Sequence, residues 1–162
     1  MLWEWLIRNT NLKYTGKVRI RAWEKQEDGS EILIKDSVRE NLLVTVGITS
    51  IEKYLGNITG GGYFNGIGVG DSTQTAAAGD TDLVASSNKT WYTIASGDRT
   101  VISTVLYVSV DIGYSQSNFT WNEIGLRDNQ GTPVLIARVI DSSPLVKTTA
   151  KRAIVEWQIT VS

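Results

Sequence analysis

The segment KRAIVEWQITVS, residues 151–162, decides the fold class because its side chains alternate between apolar and polar with a period of two. This alternation puts every second side chain on the same face of a β-strand and is typical of a strand with one buried face. Ile154 is the one apolar residue on the otherwise polar face. The segment therefore predicts a half-buried strand whose apolar face is formed by Ala153, Val155, Trp157, Ile159 and Val161.

The same period extends through most of the chain. The segment RTVISTVLYVSVDIG, residues 99–113, predicts one long strand with a more polar second face. In KVRIRAWEKQEDGSEILIKD, residues 17–36, Val18, Ile20 and Ala22 alternate with basic residues, and Asp28-Gly29, a dipeptide typical of tight hairpin turns, follows. A β-hairpin is therefore expected there. Further strands are predicted near residues 64–69, 89–95, 118–126 and 133–140.

One segment has helical spacing instead. In DSVRENLLVTVGITSIEKYLG, residues 36–56, apolar side chains recur every three to four positions, and Gly56 stands where a helix would end. A helix of about ten to fifteen residues is expected. Gly47 and the β-branched residues disfavour its first half, so residues 49–55 are predicted as helix and the preceding residues are left open between helix and extended chain.

Length and composition indicate one compact domain. A chain of 162 residues, 41% of them hydrophobic, is long enough for one well-buried core and too short for two. The fold class expected is all-β: an antiparallel β-sandwich of about eight strands with one short helix. Residues 1–40 would form an N-terminal arm and the hairpin, and residues 41–162 the sandwich.

Charge and residue usage argue against several functions. The net charge of -1 indicates neither a nucleic-acid partner nor an anionic membrane surface, and no apolar run is long enough for membrane insertion. The chain contains no cysteine and no histidine, which excludes thiolate metal sites and a Ser-His-Asp triad. We therefore expect a protein that is not an enzyme, needs no cofactor and is made in the cytosol of its producer.

The glycine-rich stretch GGGYFNGIGVGDSTQTAAAGDTDL, residues 60–83, has three possible interpretations: a nucleotide-binding loop, a metal-binding loop or a structural element. Its G-x-G-x-G spacing and the absence of a following helix disfavour a phosphate loop, so close packing of a strand is the preferred interpretation. Asp71, Asp80 and Asp82 are candidate Ca²⁺ ligands. Their spacing matches no EF-hand, and aspartates that form turns are the favoured alternative.

Glu123 lies in the middle of the apolar segment FTWNEIGL, where a carboxylate needs a partner. No second acidic residue suggests an acid–base pair. Arg99, Arg127 and Arg138 are available as cations, and a structural ion pair is predicted rather than catalysis.

Six tryptophans supply candidate binding surfaces. Trp121 and Trp157 fall in strands and are expected in the core. Trp91 and Tyr92, in NKTWYTIAS, form a candidate platform for stacking on a sugar ring, with Tyr63 and Tyr114 as further candidates.

The arm at the start of the chain, MLWEWLIRN, is unusually apolar. Terminal segments with large apolar groups often mark a docking surface. We expect the arm to pack on a neighbouring subunit or another protein, and the alternative is a first strand of its own sheet. The predicted interface residues are Leu2, Trp3, Trp5, Leu6 and Ile7.

The order of several segments resembles a known family. These segments are ENLLVTVGITSIEKYLG, YFNGIGVGDS, AGDTDLVAS, FTWNEIGLRDNQGTPVLIARVIDSSPLVKT and AIVEWQITVS. In this order they resemble bacteriophage tail-collar fibre proteins and related small virion proteins, over residues 41–161. Those proteins carry a W-x-E-x-G-L-x-D segment and a late lysine before an apolar strand.

The resemblance implies a virion structural protein without enzymatic activity. It would be located in the virion, form a homotrimer and dock on another virion protein, as a tail collar or fibre adaptor or as a capsid decoration protein. The alternative is a carbohydrate-binding module that recognises a host-surface glycan through the aromatic residues.

Overall fold

The computed structural model describes residues 14–59 and 61–161, which form ten strands and one α-helix. A single turn of 3-10 helix at Ser96–Asp98 precedes β6. In chain order the elements are β1 (Tyr14–Lys25), β2 (Glu31–Glu40), β3 (Leu42–Leu43), α1 (Thr45–Leu55), β4 (Phe64–Gly70), β5 (Lys89–Thr93), β6 (Arg99–Ile102), β7 (Val105–Ile112), β8 (Thr120–Asp128), β9 (Leu135–Val146) and β10 (Lys151–Val161).

The strands form two antiparallel sheets of five strands each. Sheet A has the order β2-β1-β10-β7-β6, and sheet B has the order β3-β9-β8-β4-β5. Their inner faces share one hydrophobic core, in which Trp157 of sheet A and Trp121 of sheet B are both completely buried. The all-β sandwich predicted from the sequence is confirmed, with ten strands in the described residues instead of about eight.

The predicted hairpin joins β1 to β2 and belongs to the sandwich. The Asp28 carboxylate accepts a hydrogen bond from the backbone N–H of Ser30 at 2.9 Å, and Gly29 adopts a positive φ of 85°. Strand β1 pairs with β10 along eleven residue pairs and therefore lies inside sheet A. The hairpin supplies two of the five strands of that sheet.

Residues 99–113 do not form the single long strand predicted. They fold into the hairpin β6–β7, whose turn contains Ser103 with a φ of 57°. The prediction was wrong because a serine in the left-handed conformation leaves the alternating pattern intact while the chain reverses. Strand β9 also continues beyond residue 140, with Pro144 placed in an irregular stretch of the pairing with β8, where a missing N–H is tolerated.

Helix α1 includes the first half that the sequence left open. Gly47 lies against the backbone of Ile136 in β9, so tightly that any Cβ at position 47 would collide with it. The glycine that weakens the helix propensity is therefore needed for close packing of the helix on sheet B. The Ser50 hydroxyl donates to the buried Asp128 carboxylate at 2.5 Å and fixes the helix to the end of β8.

Candidate interaction surfaces

The three alternating glycines of β4 form a groove on the outer face of sheet B. Ile67 and Val69 between them point into the core. A Cβ built on Gly68 would lie 2.7 Å from the Trp91 ring, and one built on Gly66 would lie 2.7 Å from the Arg127 guanidinium. The G-x-G-x-G pattern therefore allows close packing of neighbouring side chains, as the sequence predicted.

A buried ion pair holds the long segment of residues 71–88, here called the covering loop, on this face. The Arg138 guanidinium donates to the Glu123 carboxylate at 2.7 Å, and both side chains are fully buried. Glu123 also accepts hydrogen bonds from the backbone N–H groups of Val84, at 3.0 Å, and Ala85, at 2.7 Å. The ion pair predicted for Glu123 is thus present, with Arg138 as its partner.

Arg138 reaches a second part of the covering loop. Its two terminal nitrogens donate to the Asp80 carboxylate at 2.8 Å and to the Gln74 carbonyl at 2.8 Å. One arginine and one glutamate therefore bind both ends of the loop. Their arrangement is a structural clamp, because the donors and acceptors that face the pair come from the chain itself.

The structure does not bring the three candidate Ca²⁺ ligands together. Asp80 pairs with Arg138, Asp82 pairs with Lys89 at 2.7 Å, and Asp71 accepts a hydrogen bond from the Asn88 amide at 2.7 Å. Among the described residues, no group of three or more acidic side chains is arranged to hold a metal ion.

Trp91 and Tyr92 face opposite sides of β5 and do not form a shared platform. Trp91 lies outside, with the Arg127 guanidinium 4.5 Å from its ring centroid. Tyr92 packs against the core, and its hydroxyl lies 2.5 Å from the Ser117 hydroxyl. Burial raises the pKa of Tyr92. A depression of about 280 Å³ beside Trp91 is lined by Asp82, Lys89 and Arg127.

The other two aromatic candidates lie elsewhere. Tyr63 lies under the Arg99 guanidinium, 5.2 Å from its ring centroid, at one end of the sandwich. The Tyr114 hydroxyl donates to Glu31 near the hairpin turn, and this bond raises the pKa of Tyr114. Neither ring adjoins Trp91.

Both edges of sheet A expose aliphatic side chains. At β2 these include Leu33, which is 53% exposed, and at β6 they are Val101 and Ile102, which are 67% and 61% exposed. Periodicity did not identify these residues, because it cannot show which strands end at a sheet edge. The exposed aliphatic residues of β2 are Ile32, Leu33, Ile34 and Val38.

A cavity of about 400 Å³, here called the end pocket, opens between the two sheets near the end of α1. Its walls are mostly apolar and include Ile51 and Leu55 of the helix, Phe64 of β4 and Leu106 of β7. Tyr14, the first described residue, also lines it. No local pattern in the sequence indicates this cavity, since its walls come from distant parts of the chain.

Lys147 is a buried cation that organises one loop. Its ammonium group donates to the carbonyls of Gly113, at 2.7 Å, and Gln116, at 3.0 Å, and to the Asn118 side chain at 3.2 Å. Burial lowers the pKa of Lys147 to about 8. Lys147 therefore holds the loop of residues 113–118 in place.

The interface residues predicted in the arm, Leu2 to Ile7, lie outside the described residues. In the described part of the chain no helix has the length and apolar character needed to cross a membrane. Comparisons of the chain with family models, with curated proteins and with solved structures found no match.

Proposed function

We propose that the protein is a non-enzymatic structural subunit of a bacteriophage particle, which assembles with copies of itself and docks on another virion protein. The observation that carries this proposal is the exposed aliphatic surface at both edges of sheet A. Its place in the virion would be a tail collar or fibre adaptor, or a capsid decoration. The activity is binding itself.

The two edges have the chemistry that subunit contact requires. Edge strands present unpaired backbone groups, and soluble proteins usually protect them with charges or coverage. Here β2 carries charged side chains as well, but Leu33 on β2 and Ile102 on β6 remain exposed. Contact between the β2 edge of one copy and the β6 edge of the next is head-to-tail, and such contacts generate closed rings when the rotation permits. A homotrimer is the ring that the resemblance implies.

The position of the resembling segments also supports the proposal. The glycine-rich segment forms β4, the W-x-E-x-G-L segment forms β8, and the segment that follows forms β9. These three strands are neighbours in sheet B, and the segment AGDTDLVAS lies in the covering loop above them. Four of the five resembling segments therefore lie in sheet B, helix α1 or the covering loop, and the fifth, AIVEWQITVS, forms β10 in the middle of sheet A.

The first experiment measures the mass of the full chain by light scattering from 1 to 100 µM. We expect a trimer, and we expect Leu33→Asp and Ile102→Asp each to shift the protein towards monomer, since a buried charge opposes edge contact. Val146→Asp is the matched control, because Val146 is 56% exposed and lies in sheet B. A strict monomer at 100 µM would contradict the assembly mechanism.

The second experiment tests the location. A labelled antibody against the protein is applied to intact phage particles and observed by electron microscopy. Labelling at the tail or on the head supports a virion subunit and distinguishes the two positions. Particles that lack the protein altogether would contradict the proposal.

The depression beside Trp91 favours a second candidate function, binding of a host-surface glycan. It places an indole next to Asp82, Lys89 and Arg127, which combines a stacking surface with hydrogen-bonding side chains. A glycan array separates the two functions. Specific binding that Trp91→Ala abolishes, with the circular dichroism spectrum unchanged, would favour the glycan-binding module.

A further inference from the structure

The end pocket has no occupant of its own among the described residues. It is an apolar cavity of about 400 Å³, within the size range of cavities that bind ligands. Leu55 and Val101 at its margin are each about two-thirds exposed. An apolar cavity with an apolar margin is suited to receive large apolar side chains.

We infer that the end pocket receives the apolar segment of residues 2–7 from a second copy of the chain. This inference rests on the self-assembly of the proposed function and names the contact that holds neighbouring copies together. The segment contains two indoles and three aliphatic side chains within six residues. A cavity of this volume has room for an indole together with an aliphatic group.

The start of β1 places the arm at the pocket. Tyr14 lines the cavity, and β1 runs from Tyr14 towards the hairpin at the opposite end of the strand. Residues 8–13 connect the apolar segment to Tyr14 and would span about 20 Å if fully extended. That length is enough for residues 2–7 to enter the end pocket of a second copy when the end pockets of the two copies face each other.

The short connection between the apolar segment and Tyr14 favours a second copy over the chain's own pocket. Docking in the same chain would require residues 8–13 to turn back to the cavity that Tyr14 itself lines. Docking in a neighbour requires no reversal. Exchange of an identical segment between copies is a low-cost route to a closed oligomer.

Charge is complementary as well. Arg99 is the charged residue of the pocket wall. Its guanidinium donates to the carbonyls of Phe64 and Ile94 and to the Asn65 side chain, and among the residues that the structure describes no acidic side chain pairs with it. Its guanidinium lies beside Tyr63 at the cavity margin. Glu4, between the two tryptophans, is the acidic residue of the segment and supplies a counter-charge for Arg99.

Disulfide cross-linking tests the contact directly, because the natural chain contains no cysteine. Full-length chains carrying Leu6→Cys and Val101→Cys are mixed and oxidised. We expect an interchain disulfide, and we expect its yield to fall at least tenfold when Trp3→Ala and Trp5→Ala are added to the Leu6→Cys chain. A mixture with Val146→Cys in place of Val101→Cys should stay at background.

Three outcomes overturn the inference. One is a chain that assembles by light scattering but gives no cross-link above the Val146→Cys background; the proposed function then stands and the arm contact fails. Another is a Leu6→Cys/Val101→Cys chain that forms its disulfide internally as a dilute monomer, which assigns the arm to its own pocket. A wild-type chain that is monomeric at 100 µM would contradict both the proposed self-assembly and the arm contact.

Discussion

Replacement of Arg138 by methionine should release the covering loop and destabilise the sandwich. Arg138 and Glu123 are both fully buried, and their ion pair is 2.7 Å long. Methionine retains an apolar stem of similar length but removes every donor. Glu123 is then left buried without its cation, and the Asp80 carboxylate loses its cation too.

The expected cost follows from what Glu123 retains. Removal of one partner of a buried ion pair costs about 3–5 kcal/mol, because the other charge is left uncompensated. Two backbone N–H groups still donate to Glu123, at 2.7 and 3.0 Å, and compensate part of its charge. We therefore expect a loss near the lower end, about 3 kcal/mol of unfolding free energy, for Arg138→Met.

Urea unfolding followed by tryptophan fluorescence measures this loss, and limited proteolysis measures access to residues 71–88. The matched control is Arg127→Met, because Arg127 lies on the same outer face and contacts the Trp91 ring without an ion pair. A cation–π contact contributes about 0.5–1 kcal/mol, so the control should lose no more than that. Cleavage in the covering loop should increase for Arg138→Met alone.

A double substitution checks the interpretation. In Glu123→Gln/Arg138→Met the buried charge is removed together with its partner, so the double variant should be at least about 1 kcal/mol more stable than the sum of the single losses predicts. A loss below 1 kcal/mol for Arg138→Met, or additive losses in the double variant, would refute the role of the ion pair as a clamp.

Three further predictions concern other parts of the sandwich. Gly68→Ala should cost about 1–3 kcal/mol in urea unfolding, because its Cβ would lie 2.7 Å from the Trp91 ring and displace it; an unchanged midpoint would contradict this packing. Lys147 has a pKa of about 8 in the native protein, so between pH 8 and 10 it loses its proton while the unfolded lysine keeps it. The unfolding free energy of the wild type should therefore rise by about 2–3 kcal/mol over this range relative to Lys147→Met. A difference between the two proteins that does not change with pH would contradict this prediction. The Arg19 guanidinium lowers the pKa of Asp36, so this ion pair stabilises the protein above the ordinary pKa of aspartate and is lost in more acidic solution. Acid unfolding of Asp36→Asn should therefore begin at a higher pH than that of the wild type. Coincident acid-unfolding curves for the two proteins would disprove this contribution.

The sequence predicted the features that depend on local pattern. The strand of Trp157, the turn at Gly29 and the close packing of the β4 glycines follow from alternation and backbone conformation, and all three are present. The turn at Ser103 was not predicted, because a positive φ in a serine has no reliable sequence signal. The sequence predicted that one of three arginines pairs with Glu123. Arg138 is the partner because of the register between β8 and β9, which the sequence does not show.

The surfaces were harder to predict for a different reason. Exposure of Ile102 depends on β6 being the last strand of sheet A, which is a property of strand order. The end pocket combines walls from α1, β4, β6 and β7, which are far apart in the chain. No window of sequence contains such a site, so only the assembled fold reveals it.

The two sheets differ in how their outer faces are covered. The covering loop lies over sheet B, where Glu123 and Arg138 use its donors and acceptors within the chain. Sheet A keeps charged pairs such as Arg19–Asp36 on its outer face and aliphatic residues at its edges. The segments that resemble collar proteins lie mostly in sheet B, whereas the hairpin and the edge residue Leu33 belong to sheet A. The resemblance therefore bears mainly on sheet B, whereas the contacts that we propose lie on sheet A and at the end pocket, where the assembly experiments are directed.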